Sequence, residues 1–124
     1  MRFYAENDFK AVIGTTGWYD QIDEVKNLFA SSKGALLWAS NFALGVHLYF
    51  RILGYAAAQM NKFEEYDVFG REIHHKNKKD SPSGTTLSAA KVLLSHLDRK
   101  TELVTEELTR KIEDHELHFS STRG

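Results

Sequence analysis

The segment that most limits the fold is 35–39, ALLWA, a short and wholly apolar run between Ser31-Ser32-Lys33-Gly34 and Ser40-Asn41. Such a run is typical of a strand covered on both faces. Upstream, Lys10 to Ile13 is a short β-type run closed by Gly14-Thr15-Thr16-Gly17. Between the two, Tyr19 to Ser32 carries Ile22, Val25, Leu28 and Phe29 at helical spacing. Asp20, Asp23 and Glu24 fall in its first turn, where acids suit the positive end of the helix dipole. Strand, helix and strand in that order predict a βαβ unit and a parallel sheet.

After Ser40-Asn41 the period changes. Phe42, Val46, Tyr49, Phe50, Leu53, Ala57 and Met60 step by three or four and predict one buried face of a long helix. Gly45 and Gly54 lower its intrinsic propensity and permit close packing. The stretch 65–76 reads as a strand, and 83–97 as a second helix with Leu87, Ala90, Leu94 and Leu97 on one face. In the tail 111–121, Leu117 and Phe119 alternate with Glu116, His118 and Ser120, which predicts a half-buried strand. Its edge is expected to be exposed unless another strand or chain covers it.

A chain of 124 residues fits a single hydrophobic core. Its 42% hydrophobic and 27% charged residues suit an ordinary globular protein. The net charge of −1 gives no general reason to bind nucleic acid or a membrane surface, so any attraction for anions must be local. The absence of cysteine excludes disulfides, thiolate metal sites and cysteine nucleophiles. The N-terminus has neither an apolar targeting core nor an arginine-rich transit pattern. The apolar stretch 42–60 is interrupted by His47, Arg51 and Gln59, unlike a membrane span. A cytoplasmic protein is expected.

Chemistry concentrates in 72–97, EIHHKNKKDSPSGTTLSAAKVLLSHL. Adjacent side chains on a strand point to opposite faces, so His74 and His75 cannot both address one small site from a regular strand. Lys78 and Lys79 follow on a turn. Ser81 suits an N-cap and Pro82 the first helical position. Gly84 and Thr85 then fall in the first turn, where free N–H groups and the dipole favour a carboxylate or phosphate. Two readings are open from these features: a plain helix cap beside a solvated turn, or a seat for a small anion with a proton donor beside it. No metal site is expected, because His115 and His118 lack facing geometry on a strand and no carboxylate cluster accompanies the histidines.

The run EIHHKNKKDSPSGT resembles the signature of the 4-hydroxy-tetrahydrodipicolinate reductase (dihydrodipicolinate reductase) family, which serves the diaminopimelate route to lysine. The family pattern is Glu-x-His-His-x-x-Lys-x-Asp-x-Pro-Ser-Gly-Thr, and every fixed position is met from Glu72 to Thr85. GTTGW at 14–18 resembles the end of the family's dinucleotide-binding domain, ASNF at 39–42 the loop against the nicotinamide, and HFSSTRG at 118–124 a strand of the substrate domain.

The resemblance implies an α+β protein: a substrate-binding domain with a mixed open sheet flanked by helices, preceded by the last βαβ piece of a Rossmann-type domain. It places that remnant at 1–40 and the substrate-binding and tetramerisation domain at 41–124. It implies reduction of a cyclic dicarboxylate by NADPH or NADH, with His74 as acid/base residue and Lys78 as substrate ligand and proton donor. His75, Gly84 and Thr85 become substrate contacts. Gly14, Thr15, Thr16, Ala39, Asn41 and Phe42 become nicotinamide-side contacts. Taken without the resemblance, GTTG is a common strand-end turn and Phe42 a residue of an apolar helix face. Ser40 stands where relatives often carry proline or alanine.

The family's G-x-G-x-x-G turn, which seats the pyrophosphate, has no counterpart before Gly14. The chain therefore reads as an internal fragment of a homotetrameric reductase, with Met1 as an internal methionine. Two functions follow: part of an active reductase, or a non-catalytic fragment that binds a dicarboxylate or only self-associates.

Overall fold

A computed structural model describes residues 1–15 and 18–124. The chain divides into two compact units, Met1–Leu44 and Gly45–Gly124. No helix among the described residues is long and apolar enough to cross a membrane.

The first unit opens with a short helix α1, Arg2–Glu6, followed by β1, Lys10–Ile13. A 3₁₀ turn at Tyr19–Gln21 leads into α2, Ile22–Ala30, with Asp23 and Glu24 in its first turn and Val25 buried. The strand β2, Ala35–Trp38, pairs in parallel with β1, setting Lys10 against Ala35 and Ile13 against Trp38. The expected βαβ unit is therefore present. Its apolar strand is not covered on both faces: Val12 and Leu37 are 69% and 59% exposed, while Ala11, Ile13, Leu36 and Trp38 are half-buried. The reason is geometric. A side-chain period of two gives each strand two faces, and a single crossover helix can cover only one of them.

The second unit contains all but the first residue of the long helix α3, Leu44–Met60, then β3, Gly70–His74, and α4, Gly84–Leu94. Two further strands complete it, β4 at Glu102–Val104 and β5 at Glu116–Arg123. Sequence periodicity predicts neither β4, which is only three residues long, nor α1. The strand expected over 65–76 forms only from Gly70 to His74.

The sheet order is β3–β5–β4, and both ladders are parallel. The sheet expected to be mixed thus holds only parallel pairs among the described residues. Parallel neighbours need crossovers, and α4 supplies the one between β3 and β4. The irregular segment 105–115 supplies the other. For the tail strand, whose edge is expected to be exposed unless another strand covers it, two strands of the same chain provide that cover. β5 lies in the centre with a partner on each side, which is why Leu117 and Phe119 are both buried.

Ala57, Ala89, Ala90, Leu93, Leu97, Leu117 and Phe119 form the core, with Phe50, Leu53, Met60 and Leu103 packed against it. Leu97 and Leu117 are fully buried, each stabilising by about 1.5–3 kcal/mol relative to an exposed side chain. The buried stripe of α4 is Thr86, Ala89, Ala90 and Leu93, rotated from the expected one. Leu87 is 40% exposed. Small residues carry this stripe because the helix lies close to its neighbours. On α3, Gly54 and Ala57 are buried, and a Cβ on Gly54 would meet Val92 and His96 at 3.3 and 3.2 Å.

Two charged groups tie the irregular segments to β5. Lys100 is buried, pairs with Asp67 at 2.6 Å and donates to the Glu116 carbonyl at 2.9 Å. Arg110 donates from both terminal nitrogens to the two carboxylate oxygens of Glu116. The Glu113 N–H adds a further bond to the same carboxylate at 2.9 Å.

Candidate functional site

The strand β3 ends at His74, so His75 already belongs to the following turn, closed by the Lys78 N–H donating to the His75 carbonyl at 3.1 Å. His75 is exposed. Residues two apart on a strand share a face, so Glu72 and His74 look the same way, and Ile73, 69% exposed, looks the other. In the ladder Glu72 lies opposite Ser121 and His74 opposite Arg123.

The helix after the turn begins one dipeptide later than the sequence suggests. Ser83, not Ser81, is the N-cap: its backbone is extended (φ −69°, ψ 156°) and its Oγ accepts from the Thr86 N–H at 3.2 Å. Pro82 therefore precedes the cap, joined to Ser81 by a cis peptide, and Gly84 takes the first helical position. Ser83 takes the cap because its own N–H is held by the Glu72 carboxylate, which fixes its backbone with the hydroxyl in reach of the Thr86 N–H. Gly84 and Thr85 remain in the first turn, where their N–H groups have no intrahelical acceptor. Both residues are exposed, and no atom lies within 4 Å of a Cβ built on Gly84. A ligand can therefore approach this backbone closely.

Glu72 organises the whole arrangement. Its carboxylate is buried and accepts from the Ser83 N–H at 3.1 and 3.2 Å and from Thr86 Oγ1 at 2.6 Å. Ser121 Oγ donates to it at 2.8 Å and Arg123 Nη2 at 3.0 Å. One side chain thereby joins β3, the start of α4 and the end of β5. Burial alone would raise its pKa, but the donors from Ser83, Thr86, Ser121 and Arg123 outweigh burial and hold it well below the ordinary carboxylate range. Glu72 is an anion here. In the sequence Glu72 is a motif position without an assigned role; the available signal for one is its place two residues before His74 on a strand.

Lys78 is a quarter exposed and forms an ion pair with Asp80. The contact with Lys78 holds the Asp80 carboxyl below its usual value. Arg123 Nη2 also donates to the Asp80 carbonyl at 2.7 Å, so the lysine turn is fastened to the same arginine that binds Glu72. His74, Lys78 and the α4 N-terminus are thus brought together through Glu72, Arg123 and Asp80. A cavity of about 650 Å³ bordered by Phe69, Thr105, Arg110 and His118 includes neither His74, Lys78 nor Gly84.

In the first unit, β1 and β2 run parallel, so the loops after Ile13 and Trp38 leave the sheet at the same end. Ligands of open α/β sheets bind outside such carboxyl ends. Gly14 and Phe42 meet there: a Cβ on Gly14 would lie 3.8 Å from the Phe42 ring. The Thr15 carbonyl accepts from Trp18 Nε1 at 2.8 Å, the Ala39 N–H donates to the Ile13 carbonyl at 3.2 Å, and Asn41 Oδ1 accepts from the Ala43 N–H at 2.8 Å. Thr16 lies outside the described residues.

Comparison with known proteins bears on the family and the fold. Residues 45–124 match the family described as dihydrodipicolinate reductase, C-terminus. The 4-hydroxy-tetrahydrodipicolinate reductase of Christiangramia forsetii is 41% identical over 83 residues, 67% of this chain and 35% of that protein. The Methanococcus vannielii protein of the same name is 42% identical over 94 residues, 75% of this chain and 34% of its own length. A solved structure of dipicolinate-bound dihydrodipicolinate reductase from Paenisporosarcina sp. TG-14 superposes with a TM-score of 0.62 at 29% identity. It covers 97% of this chain and 46% of the other. This chain spans about a third of the length of the curated relatives it matches. The strand, turn and capped helix around Glu72 lie within the matched region, and the chain belongs to the dihydrodipicolinate reductase family.

Proposed function

We propose that this chain carries the dicarboxylate seat and the proton-donating groups for NAD(P)H-dependent reduction of 4-hydroxy-tetrahydrodipicolinate to tetrahydrodipicolinate. In this reading it works in the cytoplasm, in lysine biosynthesis through diaminopimelate, within a homotetramer of a longer protein. The observation that carries the reading is the Glu72 network, which joins the end of β3, where His74 lies 3.6 Å from the carboxylate, to the Asp80 turn that pairs with Lys78 and to the start of α4, where Gly84 and Thr85 are exposed. A cyclic dicarboxylate suits that end. One carboxylate takes the N–H groups of Gly84 and Thr85 and the Thr85 hydroxyl. The Lys78 ammonium and the two histidines supply the cationic and donor groups for the remainder.

The residues present fit only part of the cofactor. Gly14, Thr15, Ala39, Asn41 and Phe42 line the carboxyl end of the small parallel sheet, which suits the nicotinamide end, and Thr16 belongs to the same proposal. No G-x-G-x-x-G occurs in the 124 residues. When bound, the reduced nicotinamide would supply the hydride. The chain's own part is to hold the dianion and to move protons: the 4-hydroxyl leaves as water with His74 serving as acid/base, and Lys78 Nζ gives a proton to the ring carbon left electron-rich by hydride addition. His75, on the exposed turn, contributes a second contact to the substrate.

That missing glycine turn also favours a second reading, in which the chain alone binds a dicarboxylate without turning it over. Mixing the purified chain with NADPH and freshly generated substrate, and following nicotinamide absorbance, separates the two. Turnover supports catalysis by this chain. Saturable binding of pyridine-2,6-dicarboxylate without turnover supports the binding-only reading. No binding, in a folded chain, overturns both.

A further inference from the structure

We propose that Glu72 is a positioning residue for His74, orienting the imidazole with Nδ1–H directed at the Glu72 carboxylate so that Nε2 is the nitrogen left for substrate. The inference rests on the reading of His74 as the acid/base group and adds the device that sets which of its nitrogens is available.

Three observations carry it. His74 Nδ1 is buried and makes no hydrogen bond among the described residues, an expensive state for a ring nitrogen. The carboxylate oxygen Glu72 Oε2 lies 3.6 Å from it, a gap that a shift of about half an ångström closes to a hydrogen bond. The two oxygens are also unequally loaded. Oε1 accepts from Ser121 Oγ, Arg123 Nη2 and the Ser83 N–H. Oε2 accepts from Thr86 Oγ1 and shares the same Ser83 N–H. Oε2 therefore retains capacity on the side where His74 stands.

The polarity of the network leaves His74 little choice. Ser83 Oγ accepts from the Thr86 N–H and donates to Thr86 Oγ1, which then donates to Glu72. Every partner around the carboxylate donates to it, so Glu72 has no proton to offer Nδ1. A neutral imidazole beside an acceptor must place its own proton on the facing nitrogen. Because Glu72 is fixed by strand, helix and β5 at once, the ring orientation is set before any ligand arrives. A carboxylate in this role fixes the tautomer and ring orientation of a working histidine.

The test is the tautomer itself, read from the imidazole ¹⁵N shifts of His74 in the ¹⁵N-labelled 124-residue chain at a pH where the ring is neutral. The wild-type chain is expected to show the Nδ1–H form. In Glu72→Gln the amide oxygen takes the Arg123 and Ser121 donors, and the amide NH₂ faces Nδ1. The Nδ1–H to Nε2–H ratio should then fall about tenfold or more, as expected on losing one charge-assisted hydrogen bond. Arg123→Gln also removes a Glu72 partner but leaves Oε2 facing His74, so it should lower stability and leave the ratio unchanged. An Nε2–H ring in the wild type, or an unchanged ratio in folded Glu72→Gln, overturns the proposal. If Glu72→Gln does not fold, the wild-type spectrum still decides. No substrate or cofactor enters the measurement. An Nδ1–H ring whose replacement leaves turnover intact would sink the acid/base reading while this one stood.

Discussion

Gly70 lies directly opposite Phe119 in the parallel ladder of β3 and β5, and the Phe119 ring occupies the space that a Cβ on Gly70 would need. Phe119 is 7% exposed and belongs to the core, so the ring has nowhere to retreat. Gly70→Ala should therefore overpack the sheet and cost about 1–3 kcal/mol. Gly45, in the first turn of α3, has no atom within 4 Å of a built Cβ. Gly45→Ala should gain about 0.5–1 kcal/mol from helix propensity alone. Urea midpoints of the two variants should move in opposite directions; a shift of the same sign would mean that Gly70 is not held by Phe119.

The start of α4 offers a sharper comparison, because two serines compete for one role. Ser83→Ala removes the Oγ that accepts from the Thr86 N–H and should cost about 1 kcal/mol. Ser81 is exposed, and Ser81→Ala should stay within about 0.5 kcal/mol of wild type. Equal losses in thermal melts would return the cap to Ser81, where the sequence alone places it.

Why that placement fails shows how far the sequence reaches. The dipeptide Ser81-Pro82 is a sound helix start in isolation, and so is Ser83-Gly84. What decides between them is the Glu72 carboxylate accepting the Ser83 N–H, a contact across 11 positions that no local pattern records. The same limit explains the sheet. The alternation of Leu117 and Phe119 marks a strand, but β5 becomes the central one only through its partners at 70–74 and 102–104. The βαβ order of the first unit and the long helix α3 are legible because their period repeats over many residues. His74, Lys78 and Gly84 are legible as a constellation through their spacing. Arg123, which fastens Glu72 and the Asp80 carbonyl, is not, because its partners lie 51 and 43 positions away.

Acid should unfold the chain in part through Glu116. The Arg110 fork, aided by the Glu113 N–H and opposed by burial, lowers its pKa from 4.5 to about 2. The folded value lies below the unfolded one, so the contribution is complete above 4.5 and disappears as pH falls towards about 2. Glu72, depressed in the same direction, loses its contribution on the acid side as well. Arg110→Gln should flatten the fall in stability across this window without abolishing it, since the Glu72 part persists. Unfolding free energies from denaturant titrations at a series of pH values measure the slope. A wild-type slope in Arg110→Gln would remove Arg110 as the cause.

Lys78 is engaged with Asp80 before any ligand arrives, so a dianion bound at the α4 N-terminus must compete with that aspartate for the ammonium. Asp80 is exposed, and its backbone carbonyl, which accepts from Arg123, survives substitution. Asp80→Asn should thus leave stability close to wild type. It should tighten pyridine-2,6-dicarboxylate about two- to fivefold, the scale of one exposed ion pair. Lys78→Ala should weaken the same ligand about tenfold and reduce the salt dependence of binding. Isothermal titration of the two variants separates competition from support. Weaker binding in Asp80→Asn would mean that the aspartate aims Lys78 at the ligand, and an unchanged affinity in Lys78→Ala would take the lysine out of the dicarboxylate seat.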